Sequence, residues 1–87
     1  MKPTATALKL KKYLYDNGIM LKWFAAQIGI SRPTLSKYLL GTGKMPAKAY
    51  HKIVLSTKGK ISMKELLNDF LNEVQQEEDQ DDDYFRP

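Results

Sequence analysis

Eighty-seven residues without a cysteine can build one modest core, with neither disulfides nor a thiolate metal site, and leave too little chain for an enzyme cleft under a lid. A single histidine makes a poor metal or acid–base set, no apolar run nears the roughly 18 residues of a membrane span, and the N-terminus lacks the layout of a secretory signal; a soluble, cytoplasmic, cofactor-free protein that is not an enzyme is expected. The net charge of +4 conceals its layout: residues 1–64 hold thirteen of the fourteen Lys and Arg against one acid, Asp16, for a net +12, while residues 65–87 hold nine acids against Arg86, for −8.

Gly and Pro divide the first three quarters of the chain into helical stretches. Pro3 and Thr4 precede a pattern of Ala7, Leu10, Tyr13 and Leu14 at helical spacing, closed by Asn17-Gly18. Leu21, Phe24, Ala25 and Ile28 give a second helix, stopped by Gly29. Ser31 is a suitable N-cap for a third, with Pro33 in its first turn, Leu35, Tyr38 and Leu39 as its buried stripe and Gly41 at its end. After a loop, Pro46 opens a fourth helix with Ala49, Tyr50, Ile53 and Val54 inward, ended by Lys58-Gly59. Ser62 and Glu65 have the spacing of a capping box and Ile61 and Leu66 that of a hydrophobic staple for a fifth, whose apolar face is Leu66, Leu67, Phe70, Leu71 and Val74. From Gln75 the pattern dissolves into Gln, Glu and Asp, too polar to bury itself. The expected organisation is all-α: a domain over 1–74 and a disordered acidic tail over 75–87.

The second and third helices carry the functional signal. Two helices crossing steeply through a tight turn need a small residue at the crossing, which Ala25 supplies, and a residue tolerant of positive φ in the turn, which Gly29 supplies. Phe24, Ile28, Ile30, Leu35 and Tyr38 are apolar where burial would lock the angle. The third helix then turns Arg32, Pro33, Thr34, Ser36 and Lys37 outward. Arg32 can donate to both acceptors of a guanine edge, Thr34 or Ser36 can reach a base or a thymine methyl, and Lys37 a base or a phosphate. Lys22, Lys44, Lys48 and Lys52 flank this helix as candidate phosphate contacts, Lys44 in the loop after it and Lys48 and Lys52 following at four-residue steps along one face of the fourth helix. The field of the +12 segment asks for an anionic partner, nucleic acid before a membrane surface.

The run Phe24-Ala-Ala-Gln-Ile-Gly-Ile-Ser-Arg-Pro-Thr-Leu-Ser-Lys-Tyr-Leu-Leu-Gly41 resembles the helix-turn-helix of Cro-like phage repressors and small bacterial regulators, and Lys44-Met-Pro46 and Gly59-Lys-Ile-Ser-Met-Lys-Glu-Leu66 are similar to later parts of its short members. The resemblance spans about residues 8–70. It implies a compact five-helix, lambda-repressor-like (Cro-type) domain that binds a pseudo-palindromic operator in double-stranded DNA as a homodimer, with Ser31, Arg32, Pro33, Thr34, Ser36 and Lys37 at the base-reading positions. Three departures stand out. Met20 replaces the usual capping Ser or Thr, Leu21 the usual Gln, and Leu40 a usual polar residue.

With Trp23 on the solvent side of the second helix, Met20, Leu21, Trp23 and Leu40 could form one exposed apolar patch. Two functions therefore compete. One is a sequence-specific DNA-binding transcriptional regulator of repressor type, associated with the nucleoid. The other is a helix-turn-helix adaptor that binds another regulator through that patch and the acidic tail. Dimer or partner contacts fall on Trp23, Leu67, Phe70, Leu71 and Val74. The tail, Glu77 to Asp83 with Tyr84 and Phe85 behind it, can solubilise, fold back on the basic surface or dock a partner protein. His51 lacks a second ligand or nucleophile at working spacing, and Tyr13, Tyr15 and Tyr50 read as packing residues.

Overall fold

The structure, a computed structural model, describes residues 2–71. The tail, its expected disorder, Val74 and the boundary at residue 74 lie outside the described residues. All the regular structure among the described residues is helical: α1 (Ala5–Asp16), α2 (Leu21–Ile28), α3 (Arg32–Leu40), a 3₁₀ turn (Ala47–Ala49) leading into α4 (Tyr50–Ser56), and α5, described over residues 63–71.

Local chemistry sets most of these boundaries. Thr4 caps α1 by accepting from the Ala7 N–H at 3.0 Å, and Ser31 caps α3 by accepting from the Thr34 N–H at 3.3 Å. The capping box of α5 is made in both directions. The Ser62 N–H donates to Glu65 Oε2 at 2.9 Å and the Glu65 N–H to Ser62 Oγ at 3.2 Å. The C-terminal ends of α1 to α4 share one device, paired bonds that return the backbone to the last turn. In α2 the Gly29 N–H reaches the Ala26 carbonyl and the Ile30 N–H reaches the Ala25 carbonyl, with Gly29 at φ 77°. In α4 the same pairing places Lys58, and not the neighbouring glycine, at the first left-handed position, φ 54°.

The core collects Ala7, Leu10 and Leu14 from α1, Phe24, Ala25 and Ile28 from α2, Leu35, Tyr38 and Leu39 from α3, and Met45, Ala49, Tyr50, Ile53, Ile61 and Leu66 from the remainder. Burying each large apolar side chain among these contributes on the order of 1.5–3 kcal/mol. Ala25 is buried on α2, which packs against both α3 and α4.

Three expectations need correction. Tyr15 is 86% exposed and does not pack, because Leu10 and Leu14 already occupy the inward stripe of α1. The basic ladder is not one helical face. Lys44 lies in the loop, as expected, but Lys48 falls in the 3₁₀ turn, so only Lys52 sits in α4 itself, and the tighter winding after Pro46 breaks the 3.6-residue register. Among the described residues of the expected apolar face of α5, only Leu66 is buried. Leu67, Phe70 and Leu71 are 45–53% exposed, because α5 docks through a polar stripe instead.

That stripe centres on Asp69. Its carboxylate accepts from the hydroxyls of Thr4 (2.7 Å), Thr6 (3.2 Å) and Tyr38 (3.1 Å), tying α1, α3 and α5 together. One turn earlier Lys9 Nζ donates to Glu65 Oε1 at 2.7 Å. Burial pushes the Tyr38 phenol well above its usual range. The Asp69 charge adds to that against an opposing contribution from the Thr4 hydroxyl. The Lys9 ammonium and the Ser62 N–H hold the Glu65 carboxyl below its ordinary value.

Candidate nucleic-acid interface

The joint between α2 and α3 is three residues long, Gly29-Ile30-Ser31, and each has a separate task. Gly29 supplies the left-handed turn, half-buried Ile30 packs against the core, and Ser31 starts α3. With Phe24, Ala25, Ile28, Leu35, Tyr38 and Leu39 all buried, the pair is fixed from both sides. Because successive helical residues advance 100°, burial of Leu35, Tyr38 and Leu39 forces Pro33, Lys37 and Leu40 onto the opposite side of α3. Arg32, Pro33, Lys37 and Leu40 are exposed, and Ser36 and Thr34 are half-buried beside them.

The predicted base-reading residues therefore fall into two groups. Arg32, Pro33, Ser36 and Lys37 border the outward face. Ser31 and Thr34 are engaged with each other, their hydroxyl oxygens 2.7 Å apart in a hydrogen bond that completes the cap. Neither α2 nor α3 carries an acid in its first turn, α2 has no side-chain cap, and Lys22 and Arg32 stand at the two N-termini. A cation at the positive end of a helix dipole costs about 0.3–1 kcal/mol. Neither N-terminal dipole is therefore met by an acid in the first turn of its own helix.

The flanking cations are spread more widely. Lys22, Lys44, Lys48 and Lys52 are all exposed. The Lys22 ammonium lies 5.8 Å from the centre of the Trp23 ring. Lys52 reaches the C-terminal turn of α2, its Nζ 3.2 Å from where a Cβ on Gly29 would stand, beside the negative end of that helix.

The expected single apolar patch divides in two. Leu21 and Leu40 line one groove together, whereas Trp23, 65% exposed, is outside that lining. Two residues along a helix is about 200° of rotation, so Leu21 and Trp23 could not share a face. Exposed Met20 lies at the start of α2 and also outside the groove lining. What sequence reasoning missed is that Leu14, Ile19 and Leu39 join Leu21 and Leu40 in that groove. The apolar departures at 21 and 40 were its only signal, since their meeting depends on how α1 crosses α3.

Among the described residues no helix is long and apolar enough to cross a membrane, and no three His, Asp or Glu side chains converge as a metal set would. No protein-family model, curated protein or solved structure matches the chain.

Proposed function

We propose that this chain is a sequence-specific, double-stranded-DNA-binding transcriptional regulator of the Cro-like repressor type. It lays α3 in the major groove and binds a pseudo-palindromic operator as a homodimer. The observation that carries the reading is the outward face of α3. A three-residue joint leaves Arg32 and Lys37 exposed with Ser36 half-buried between them, on a helix whose N-terminus carries a cation and no acid. Such an arrangement is costly to stability unless an anion meets it, and a duplex presents phosphates flanking readable base edges. Arg32 at the first position of α3 is the guanine reader. Ser36 and Lys37 follow it along the groove, and Ser31, Pro33 and Thr34 set the depth of entry. Lys22, Lys44 and Lys48 are the phosphate contacts, and Lys52 stands behind them.

For the second copy, α5 is the contact. Met63, Leu67 and Phe70 are exposed and follow one another at the four-then-three spacing of a helix-pair seam, with Leu71 alongside. Two α3 helices related by that contact would read half-sites about 10 bp apart.

Selection of bound duplexes from a random pool tests the reading, with titration of the selected and a scrambled duplex at two salt concentrations. A palindromic consensus and a salt slope steepening by about 0.9 per phosphate contact are expected. Arg32→Ala should weaken binding by about 1–3 kcal/mol and relax one base position. Weak, sequence-blind binding at both salts would instead favour a protein-binding adaptor, for which exposed Trp23 is the anchor.

A further inference from the structure

Between α1, α2 and α3 lies an open apolar groove of about 250 Å³, lined by Leu14, Ile19, Leu21, Leu39 and Leu40 with Lys11 among them. Ser36 also lines it, so the groove shares Ser36 and Leu40 with the outward face of α3. Whatever fills the groove therefore crowds the face assigned above to DNA. Lys11 lines it and exposed Lys37 follows the lining residue Ser36 on α3, and neither pairs with an acid within 4.0 Å among the described residues.

The chain itself supplies a matching occupant. Residues 2–71 carry thirteen cations against Asp16, Glu65 and Asp69, a net +10, and residues 72–87 carry seven acids against Arg86, a net −6. The run Asp81-Asp82-Asp83 leads directly into Tyr84-Phe85, so acids and an aromatic pair arrive together. The exit point suits it. Asp69 accepts from the Tyr38 hydroxyl, and Leu39 and Leu40 of the groove wall are the next two residues of α3. Leu40 projects from the side of α3 opposite Tyr38, so the path from where the tail departs passes around that helix and is on the order of 25 Å, whereas the thirteen residue steps from Leu71 to Tyr84 can span about 45 Å. A second copy is the weaker occupant, since its helical body would bring another +10 against the lysines around this groove.

We propose that Tyr84 and Phe85 of the same chain seat in this groove, with Asp81, Asp82 and Asp83 against Lys11 and Lys37, and that the docked tail competes with duplex DNA for α3. The docking stands on the groove, the charges and the reach; the competition rests on the DNA-binding reading above. Intramolecular tethering puts the aromatic pair at a local concentration in the millimolar range. A tail docked in roughly 70–90% of molecules leaves a competent fraction of roughly 0.1–0.3 and so raises the apparent Kd about 3–10-fold.

The test compares three full-length chains: the native one, Tyr84→Ala/Phe85→Ala, and Asp81→Asn/Asp82→Asn/Asp83→Asn. All the changes lie outside the described core, so folding is not at stake. Amide chemical shifts of Leu14, Ile19, Leu21, Leu39 and Leu40 should move in both variants, independently of protein concentration. Affinity for a random-sequence duplex at low salt should rise about 3–10-fold. Unmoved groove amides would overturn the docking whatever the DNA result, and shifts that depend on protein concentration would overturn it in favour of exchange between copies. Moved amides with unchanged duplex affinity would overturn the competition alone. Moved amides in chains that bind no duplex at all would sustain the docking and reject the DNA-binding function.

Discussion

A methyl group on Gly41 would land 2.5 Å from the backbone nitrogen of Pro3 and 2.6 Å from the carbonyl carbon of Lys2, while the residue also holds φ at 83°. The backbone of Lys2 and Pro3 crosses the last turn of α3 at this point. Gly41→Ala should therefore cost about 2–4 kcal/mol, the left-handed strain plus displacement of a backbone that cannot yield cheaply. At Gly29 an added Cβ meets only the mobile Lys52 ammonium at 3.2 Å, so the strain alone applies there. Urea unfolding of both alanine variants should rank Gly41→Ala as the more damaging; equal costs would show that the Pro3 contact does not matter. Lys58 presents the reverse case, a non-glycine residue at φ 54°. Lys58→Gly should raise stability by about 0.5–1 kcal/mol, since left-handed strain of about 1–2 kcal/mol is relieved against the larger unfolded-state entropy of glycine. A lower thermal midpoint in that variant would refute this.

Between elements, the connection from α4 to α5 depends on one buried hydroxyl. Thr57 is fully buried; its Oγ1 donates to the Ile53 carbonyl at 2.8 Å and accepts from the Ile61 N–H at 3.2 Å. Ile61 and Leu66 then seat α5 on the core. Thr57→Val keeps the shape and leaves the Ile61 N–H buried without a partner, which costs about 1–3 kcal/mol. Amide exchange should show Leu66 and its neighbours opening more often in the variant, with Leu10 and Phe24 changed less. Uniform loss of protection would mean that α5 opens only with the whole domain. The periodicity, the caps and the glycine stops made these elements legible in advance, down to the capping box of Ser62 and Glu65. The docking face of α5 was not legible, because its strongest apolar stripe faces outward and a lone aspartate faces in. Only the placement of Thr4, Thr6 and Tyr38 around Asp69 makes that arrangement favourable.

For the whole molecule, the same junction makes stability depend on pH at both ends of the scale. Tyr38 is raised above its ordinary 10.0, so the folded state holds that proton more tightly than the unfolded chain does. Its stabilising contribution is complete below about pH 10 and is lost as pH rises beyond it. Glu65, lowered from 4.5, contributes above that value and loses its contribution as pH falls through the folded-state value. Urea midpoints should therefore fall more steeply above pH 10 in the native chain than in Tyr38→Phe. The two chains differ only at that hydroxyl, so parallel alkaline limbs would remove Tyr38 from the account.

Local rules alone determined the helix boundaries, the three-residue joint and the outward cations of α3, since caps, left-handed stops and a 100° advance act within a few residues of chain. The tertiary structure alone decided which side chains meet across the fold. It brought Leu21 and Leu40 into one groove and closed Asp69 on three hydroxyls. These outcomes follow from the angles at which α1 and α5 cross α3. Such angles are set by packing among residues up to 65 positions apart, as in the Thr4–Asp69 bond, and spacing along the chain carries no record of them.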